Sequence, residues 1–474
     1  PKQFEPRRLL ASISRQKGEG IGYREYAESA RDFYAKIVSR VWEKYEGILF
    51  REKALDFDDL LLKTQRLLKE SETVREYYQN TWHYIHIDEY QDTNRVQHDI
   101  AQLLSQKHRN LCVVGDIDQN IYSWRGANLE NLLDFESTYP DAHVVVLEEN
   151  YRSTQTIIGA ANEIIRKNIK RKEKNLFTNN EEGEKISLYG ASDENDEAYF
   201  VATHIQDLLK QGVSPSDMAV LYRANFQSRV LEESLLGAGI PYQVLGTRFF
   251  ERREIRDVLS YVRVALNPES FSDIKRISNV PPRGIGKVTL LKIAAGAEDT
   301  LPRGAKEKVA SFRGILAEIA QVAREKKPSE TIRFVLSKSG MGDVFKRGGE
   351  DEKERLENVK ELVTLATKYD RLPQGEGIPK LLEDAALASD QDELEKKNDA
   401  VRLMTVHASK GLEFSYVFIT GLEDGLFPHE RNDEAADDEE ERRLFYVALT
   451  RARKKIFLSY AAVRTIFGEQ RMSV

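Results

Sequence analysis

Apolar residues recur at three-to-four spacing from Tyr26 to Tyr45 and again from Phe57 to Leu68, the second run entered through the acidic Asp56-Phe57-Asp58-Asp59. That period predicts amphipathic helices over roughly the first eighty residues. The pattern then shortens. Tyr84-Ile85-His86-Ile87, Leu111 to Val114 and Val144 to Leu147 are brief runs of β-formers, each ending at polar or glycine residues where loops begin. Helical stretches separate them. The same alternation returns at Ile186 to Tyr189, Met218 to Tyr222, Val401 to Val406, Tyr416 to Thr420 and Ile456 to Tyr460. Strand followed by helix, repeated, predicts parallel sheets with crossover helices, with ligands beyond the strands' carboxyl ends. Between Thr247 and Asn398 the pattern changes to long charged helical segments, broken by Asn279-Val280-Pro281-Pro282-Arg283-Gly284 and Pro373-Gln374-Gly375. The fold class expected is therefore α/β, with a mainly α-helical domain inserted in the second sheet domain.

Composition narrows the class. A chain of 474 residues, 41% hydrophobic and 31% charged, has enough apolar surface for packed cores, and at about 100–200 residues per domain it should hold three or four compact units. No apolar stretch reaches the roughly 18 residues of a spanning helix, and Pro1-Lys2-Gln3-Phe4-Glu5 lacks a secretory apolar region. The lone Cys112 sits in Leu111-Cys112-Val113-Val114 and reads as a small buried hydrophobe, in keeping with a reducing cytoplasmic setting. A net charge of −7 argues against a uniformly positive surface but leaves room for a local basic groove that binds nucleic acid. The acidic run Asp433 to Glu441 reads as a solvated loop leading into a helix.

Asp88-Glu89 follow directly on a strand ending at Ile87, so both carboxylates should project from the carboxyl edge of a sheet. Such a pair can divide labour: the first holds Mg²⁺, and the second orients and deprotonates the water that attacks a γ-phosphate. Taken alone, a strand ending in Asp-Glu is more often a helix cap than a catalytic pair. The next residues change the weight. Asp88-Glu89-Tyr90-Gln91-Asp92-Thr93-Asn94 is followed by Gly115-Asp116-Ile117-Asp118-Gln119-Asn120-Ile121-Tyr122-Ser123-Trp124-Arg125-Gly126-Ala127. Then come Glu149-Asn150-Tyr151-Arg152-Ser153, Thr405-Val406-His407-Ala408-Ser409-Lys410-Gly411-Leu412-Glu413-Phe414 and Tyr446-Val447-Ala448-Leu449-Thr450-Arg451-Ala452-Arg453. In this order the five strings resemble motifs II to VI of the UvrD/Rep-type superfamily 1 DNA helicases, and the resemblance runs over essentially the whole chain.

The resemblance implies two RecA-like motor domains that bind ATP and Mg²⁺ between them, with single-stranded DNA crossing both. It implies Asp88 on the metal, Glu89 as base, Gln119 as reporter of the γ-phosphate, Arg152 and Arg451 as its finger-like charges, Tyr151 stacked on adenine and Glu413 near the sugar and γ-phosphate. Tyr122, Trp124 and Arg125 interleave aromatic and cationic side chains, which suits base stacking; core packing is the alternative. Thr405, His407 and Ser409 resemble the DNA-facing part of motif V, although a histidine such as His407 is often structural. Either Arg152 or Arg451 could instead be a surface ion-pair partner.

Pro282-Arg283-Gly284-Ile285-Gly286-Lys287-Val288-Thr289 is not a phosphate-binding loop, since Val288 follows the lysine and Pro281 stands where the first glycine is needed. A Gly-Ile-Gly turn flanked by Arg283 and Lys287 suits a helix-hairpin-helix contact in which the amides of Gly284 and Gly286 meet duplex phosphates, or else a plain tight turn. No phosphate loop precedes Asp88. On the family's pattern Pro1 then corresponds to a point inside the helical insertion of the first motor domain, which leaves that domain incomplete and the chain alone a poor ATPase. The expected organisation is a helical remnant over 1–51, the rest of motor domain 1 over 52–147, motor domain 2 over 148–246 and 399–474, and the helical insertion over 247–398, contacting duplex DNA.

The activity implied is a DNA helicase or translocase moving 3′ to 5′ on single strands and single-strand/duplex junctions, in repair or replication and alongside proteins of those processes. Two rivals remain at this point. One is a non-catalytic DNA-binding scaffold that keeps the fold, which the absent phosphate loop favours and Glu89, Gln119, Arg152 and Arg451 oppose. The other is a two-metal nuclease using Asp88, Glu89 and Asp92.

Overall fold

The structure, a computed structural model, describes residues 6–123, 126–172, 174–391, 399–429, 438–466 and 469–473. Trp124 and Arg125, singled out above for base stacking, lie outside the described residues, as do 433–437 of the acidic run; the run's remainder opens the helix Asp438–Leu449. The chain forms two compact units, Pro1–Glu184 with Arg431–Arg451, and Lys185–Glu430 with Ala452–Val474. Residues 148–184 and the helix Asp438–Leu449 thus pack with the first unit, whereas the sequence expectation grouped them with the second sheet.

The first unit opens with the helices Pro6–Gly18, Tyr23–Ser29, Phe33–Glu52, Phe57–Glu70 and Glu72–Thr81. The single helix expected over Tyr26 to Tyr45 is broken at Ala30-Arg31-Asp32. Asp32 is extended and its side chain accepts from Ala35 N at 2.8 Å, so the local cap starts a new helix there. Asp56 caps the next helix, accepting from Asp59 N at 2.7 Å. Leu9, Ile13, Val38 and Trp42 form the apolar core of this bundle. Beside it Lys17 is fully buried and bonded to Asp56 at 2.8 Å, Asp59 at 2.9 Å and Glu46 at 3.0 Å.

Two short parallel strands follow, β1 (Ile85–Ile87) and β2 (Leu111–Val113), paired Ile85 to Leu111 and Ile87 to Val113. Two expectations fail here. Cys112 is exposed, because the strand alternation puts it opposite His86 on the outer face while Leu111 and Val113 turn inward. Val144 to Leu147 is not a strand: no ladder partner lies beside it among the described residues, its side chains are exposed, and the nearest pairing is the isolated bridge Glu149–Phe177. A run of β-formers without a ladder partner stays irregular.

The second unit is built on a six-stranded, wholly parallel sheet. Its strands are β3 (Ser187–Ala191), β4 (Met218–Tyr222), β5 (Tyr242–Val244), β6 (Val401–Thr405), β7 (Phe414–Ile419) and β8 (Ala452–Ala461), in the spatial order β3-β8-β7-β4-β6-β5. The edge strand β5 was not among the β-forming runs expected from the sequence. Every residue of β4 is buried, as a central parallel strand covered on both faces requires. An antiparallel hairpin, β9 (Val463–Ile466) and β10 (Glu469–Met472), follows β8.

Between β5 and β6 the described residues are helical, from Arg253–Leu266 to Gly377–Gln391, around a core that includes Ile255, Tyr261, Phe312, Ile332, Val359 and Leu362. The expected helical insertion is therefore present. Arg229 of the helix Ser228–Gly237 pairs with Glu361 of the insertion at 2.5 Å, and both are buried. Arg252 donates to Asn358 at 2.8 Å and to Ser228 at 3.0 Å, so buried polar bonds tie the insertion to the sheet domain.

Candidate nucleotide and DNA site

The carboxyl ends of β1 and β2 carry the first group of site residues. Their register puts Asp88 and Glu89 beside Val114 and Gly115, with Tyr90 N donating to Val114 O at 2.9 Å. Asp88 and Glu89 are exposed, and Asp88 Oδ1 accepts from Glu89 N at 2.9 Å. Glu89 stands in the left-handed region at φ 51°, ψ 38°, a conformation that costs an ordinary residue about 1–2 kcal/mol. The strained turn swings the glutamate out of the strand line. Behind it lies Gln91, fully buried, whose Nε2 donates to Glu89 Oε2 at 2.6 Å and whose Oε1 accepts from Asp116 N at 3.0 Å.

Gly115 is glycine because Gln91 passes so close: a Cβ there would lie 2.6 Å from Gln91 Oε1 and 3.3 Å from Gln91 N. Asp116 then caps the short turn Ile117–Gln119, accepting from Asp118 N at 3.0 Å, and its Oδ2 accepts from Gln119 Nε2 at 2.8 Å. A hydrogen-bonded chain thus runs from Glu89 through Gln91 and Asp116 to Gln119.

The helix Asp438–Leu449 lines up three contacts along one face. Arg443 Nε donates to Asn120 O at 3.0 Å, and Asn120 in turn donates to Gln91 O at 2.5 Å. One turn on, the Tyr446 ring lies 5.9 Å from Lys174 Nζ; burial first, and then Asp116 and Asp118, push the phenol well above its usual range. Past the helix end, Thr450 O accepts from Arg152 NH1 at 3.1 Å, while Arg451 is buried and donates to Val447 O at 3.0 Å and to Thr450 Oγ1 at 3.2 Å. Arg152 and Arg451, 299 positions apart by their numbers, are therefore neighbours through Thr450. Asn150 shapes the turn that presents Arg152, accepting from the N–H groups of Arg152 and Ser153, both at 2.9 Å. Tyr151 is exposed and donates to Glu149 at 2.8 Å, and Tyr122 is half-buried.

Sequence reasoning missed Gln91, Arg171, Lys174 and Arg443. Arg171 pairs with buried Asp118 at 2.9 Å, and Lys174 pairs with Asp116 and, at 3.3 Å, with Asp118. Burial pushes the Asp118 carboxyl up, against the pull of these cations. Gln91 was in view inside the string from Asp88 to Asn94; no local signal marks Lys174, 58 residues from Asp116.

In the second unit, Thr405 ends β6 and its hydroxyl accepts from Ala408 N at 3.3 Å. Ser409 is buried and donates to Val406 O at 2.7 Å, His407 is half-buried, and Glu413 pairs with Arg453. The hydroxyls of Thr405 and Ser409 shape the motif V turn. In the insertion, Asn279 Oδ1 accepts from Arg283 N at 2.6 Å and Gly284 N at 3.0 Å, and Gly284 stands at φ +71°. The Arg283 guanidinium folds back to donate to Pro281 O at 3.0 Å and Ser339 O at 2.7 Å, over the rings of Tyr261 and Phe312. Gly286 and Lys287 are exposed, and Lys308 Nζ lies 2.6 Å from where a Cβ at Gly284 would stand.

The structure thus brings together an acidic strand end, a glutamine held beside it, Arg451 past the end of the helix Asp438–Leu449, and Arg152 bonded to Thr450 O. Residues 1–140 match the UvrD/REP helicase N-terminal domain and residues 145–463 the UvrD-like helicase C-terminal domain, so the chain belongs to the UvrD/Rep helicase family. It is 42% identical over 498 residues to the ATP-dependent DNA helicase PcrA of Bacillus subtilis, covering 100% of this chain and 67% of that relative. The PcrA helicase of Staphylococcus epidermidis is 41% identical over 495 residues, covering 100% and 68%, and that of Staphylococcus aureus 41% over 489 residues, covering 98% and 67%.

Proposed function

We propose that this chain works as the motor of an ATP-dependent DNA helicase that moves 3′ to 5′ along single strands and opens single-strand/duplex junctions in DNA repair or replication. The observation that carries this reading is the bonded chain Glu89–Gln91–Asp116–Gln119, tied through Asn120 and Arg443 to the helix that leads to Thr450, where Arg152 and Arg451 meet. These are the parts that in-line phosphoryl transfer needs: a water-orienting carboxylate, a polar reporter and guanidinium charges.

In this reading Glu89 orients and deprotonates the attacking water, Gln119 meets the γ-phosphate, Arg152 and Arg451 stabilise its developing charge, Tyr151 stacks on adenine and Glu413 lies near the sugar. Arg451 would leave its present intrahelical bonds to do so. Asp88 fits the metal: it is exposed at the strand's carboxyl end, and with Oδ1 taken by an amide the carboxylate still has lone pairs for a water-mediated contact. Mg²⁺, when bound, would neutralise phosphate charge. Tyr122, Trp124, Arg125, Thr405 and His407 would follow the single strand, with buried Ser409 holding the turn between Thr405 and Lys410, and Gly284, Gly286 and Lys287 would meet the duplex phosphates, with Arg283 holding that turn.

The 474 residues contain no Gly-x-x-x-x-Gly-Lys-Ser/Thr sequence. A polypeptide of these residues alone should turn over ATP slowly, and the same polypeptide supplied with a phosphate-loop segment from a UvrD-type relative, called here the complemented chain, should gain DNA-stimulated turnover. The test of function is unwinding by the complemented chain of duplexes with a 3′ or a 5′ single-stranded tail. ATP-dependent opening of the 3′-tailed duplex is expected; DNA binding without ATP-dependent opening of either would sink the motor reading in favour of a scaffold.

A further inference from the structure

The geometry points to Lys174 as the residue that positions Gln119 for the γ-phosphate, acting through Asp116. This rests on the phosphate-sensing role proposed for Gln119. Asp116 divides its carboxylate: Oδ2 accepts from Gln119 Nε2 at 2.8 Å, and Oδ1 pairs with Lys174 Nζ. A carboxylate only accepts, so it fixes which way the Gln119 amide faces, with NH₂ toward Asp116 and the carbonyl away from it. The lysine sets the carboxylate in turn. It bridges to Asp118 Oδ2 at 3.3 Å, Arg171 holds the same oxygen at 2.9 Å, and Arg171 also donates to Lys174 O at 3.5 Å.

Two further facts separate this from an ordinary surface ion pair. The Lys174 side chain is only 16% exposed and that of Asp118 2%, so the pair is poorly screened by solvent. Lys174 also lies 5.9 Å from the Tyr446 ring, on the helix that runs to Thr450 and Arg451. One cation therefore touches the loop that carries Gln119 and the helix that carries the arginine finger. Without it, Asp116 would keep its neutral bonds from Asp118 N and Gln119 Nε2 and would lose the cation that fixes its carboxylate beside Gln119. Lys174 is thus assigned as a positioning residue, its Nζ engaged by Asp116 and Asp118, and its effect should be on turnover more than on ATP affinity.

The test has two arms. In the 474-residue chain labelled with ¹⁵N at glutamine, the Gln119 side-chain NH₂ signal, identified by its loss in Gln119→Ala, should shift or broaden in Lys174→Met and Lys174→Gln. It should return toward its original position in Lys174→Arg and stay unmoved in Lys172→Met, which removes only the exposed pair to Glu136. Lys174→Gln is the second variant should Lys174→Met fail to fold. A Gln119 signal unchanged in the folded lysine variants overturns the proposal, and this arm uses no nucleotide, so it stands apart from the motor reading. In the complemented chain, Lys174→Met should lower kcat about tenfold to a hundredfold with little change in KM. It should add nothing further to Gln119→Ala, whereas losses that multiply would show that Lys174 does not act through Gln119. If Gln119→Ala itself leaves turnover intact, the phosphate-sensing role fails while the first arm still decides the link between Lys174 and Gln119.

Discussion

Gln91 donates its side-chain amide to Glu89 at 2.6 Å while Glu89 itself stands at φ 51°. The bond holds one carboxylate oxygen from behind and leaves the strained glutamate a single preferred orientation toward the carboxyl end of β1. Replacing Gln91 by leucine keeps the buried volume and removes the donor. In the complemented chain we expect kcat for DNA-stimulated ATP hydrolysis to fall about tenfold to a hundredfold, a part of what a positioned base contributes, with KM for ATP nearly unchanged. Steady-state kinetics check it; an unchanged kcat would mean that Glu89 keeps its orientation without Gln91.

Gly115 can be tested by stability alone. A Cβ placed there meets Gln91 Oε1 at 2.6 Å and a Leu132 methyl at 3.1 Å, and Gln91 is held on three sides by Glu89, Asp116 and Asn120. Gly115→Ala should therefore destabilise the first unit by about 1–3 kcal/mol, the usual range for overpacking. Chemical denaturation of the purified chain measures it, and no loss of stability would show that the glycine is dispensable.

Lys17 gives a pH-dependent expectation. Burial disfavours charge on this lysine, but bonds to Asp56, Asp59 and Glu46 outweigh it and raise its pKa; burial likewise opposes ionisation of Asp56, and Lys17 outweighs it and lowers that pKa. The lowered carboxyl contributes stability above its unfolded pKa of about 3.9, lost as pH falls through the lower folded value. The raised lysine contributes below its unfolded pKa of about 10.4, lost as pH rises through the higher folded value. Between those limits the cluster is fully stabilising. Lys17→Met should cost about 3 kcal/mol at neutral pH, since it leaves Asp59 buried with only Lys63 at 3.2 Å. The cost should shrink as acidification passes through the lowered Asp56 pKa, where the intact protein itself loses the Lys17–Asp56 contribution, and urea denaturation at neutral and acidic pH reads both. A cost that stays constant or grows on acidification would contradict the assignment.

The turn at Gly284 separates a phosphate contact from a structural one. Lys287 is exposed, whereas the Arg283 guanidinium is spent on Pro281 O and Ser339 O. Lys287→Ala should weaken binding to a duplex junction across sequences and reduce the salt-dependence slope by about 1, leaving thermal stability unchanged. Arg283→Ala should instead lower stability, by about 1–3 kcal/mol for the carbonyls left unpaired. Binding isotherms across salt concentrations, with melting curves beside them, distinguish the two; a reversed pattern would remove Lys287 from the duplex contact.

Much of this was legible in sequence because it is local. All the strands of the second sheet but β5 announce themselves as short β-forming runs, and Asp88-Glu89 sit directly after a strand end and Gln119 in the turn beyond another, where parallel sheets expose functional groups. What could not be read is what depends on a partner far along the chain. Val144 to Leu147 has the composition of a strand, but no partner lies beside it among the described residues. Cys112 sits in an apolar run, yet the alternation of β2 faces it outward. Lys174, Arg171 and Arg443 look like ordinary surface cations until the fold brings them to Asp116, Asp118 and Asn120.

The most direct measurement is DNA-stimulated ATP turnover of the complemented chain beside its Glu89→Gln variant. Turnover that rises on addition of single-stranded DNA, and falls at least about a hundredfold in Glu89→Gln while DNA binding persists, is the result expected of a motor whose base is Glu89. Equal turnover in the two proteins would contradict it.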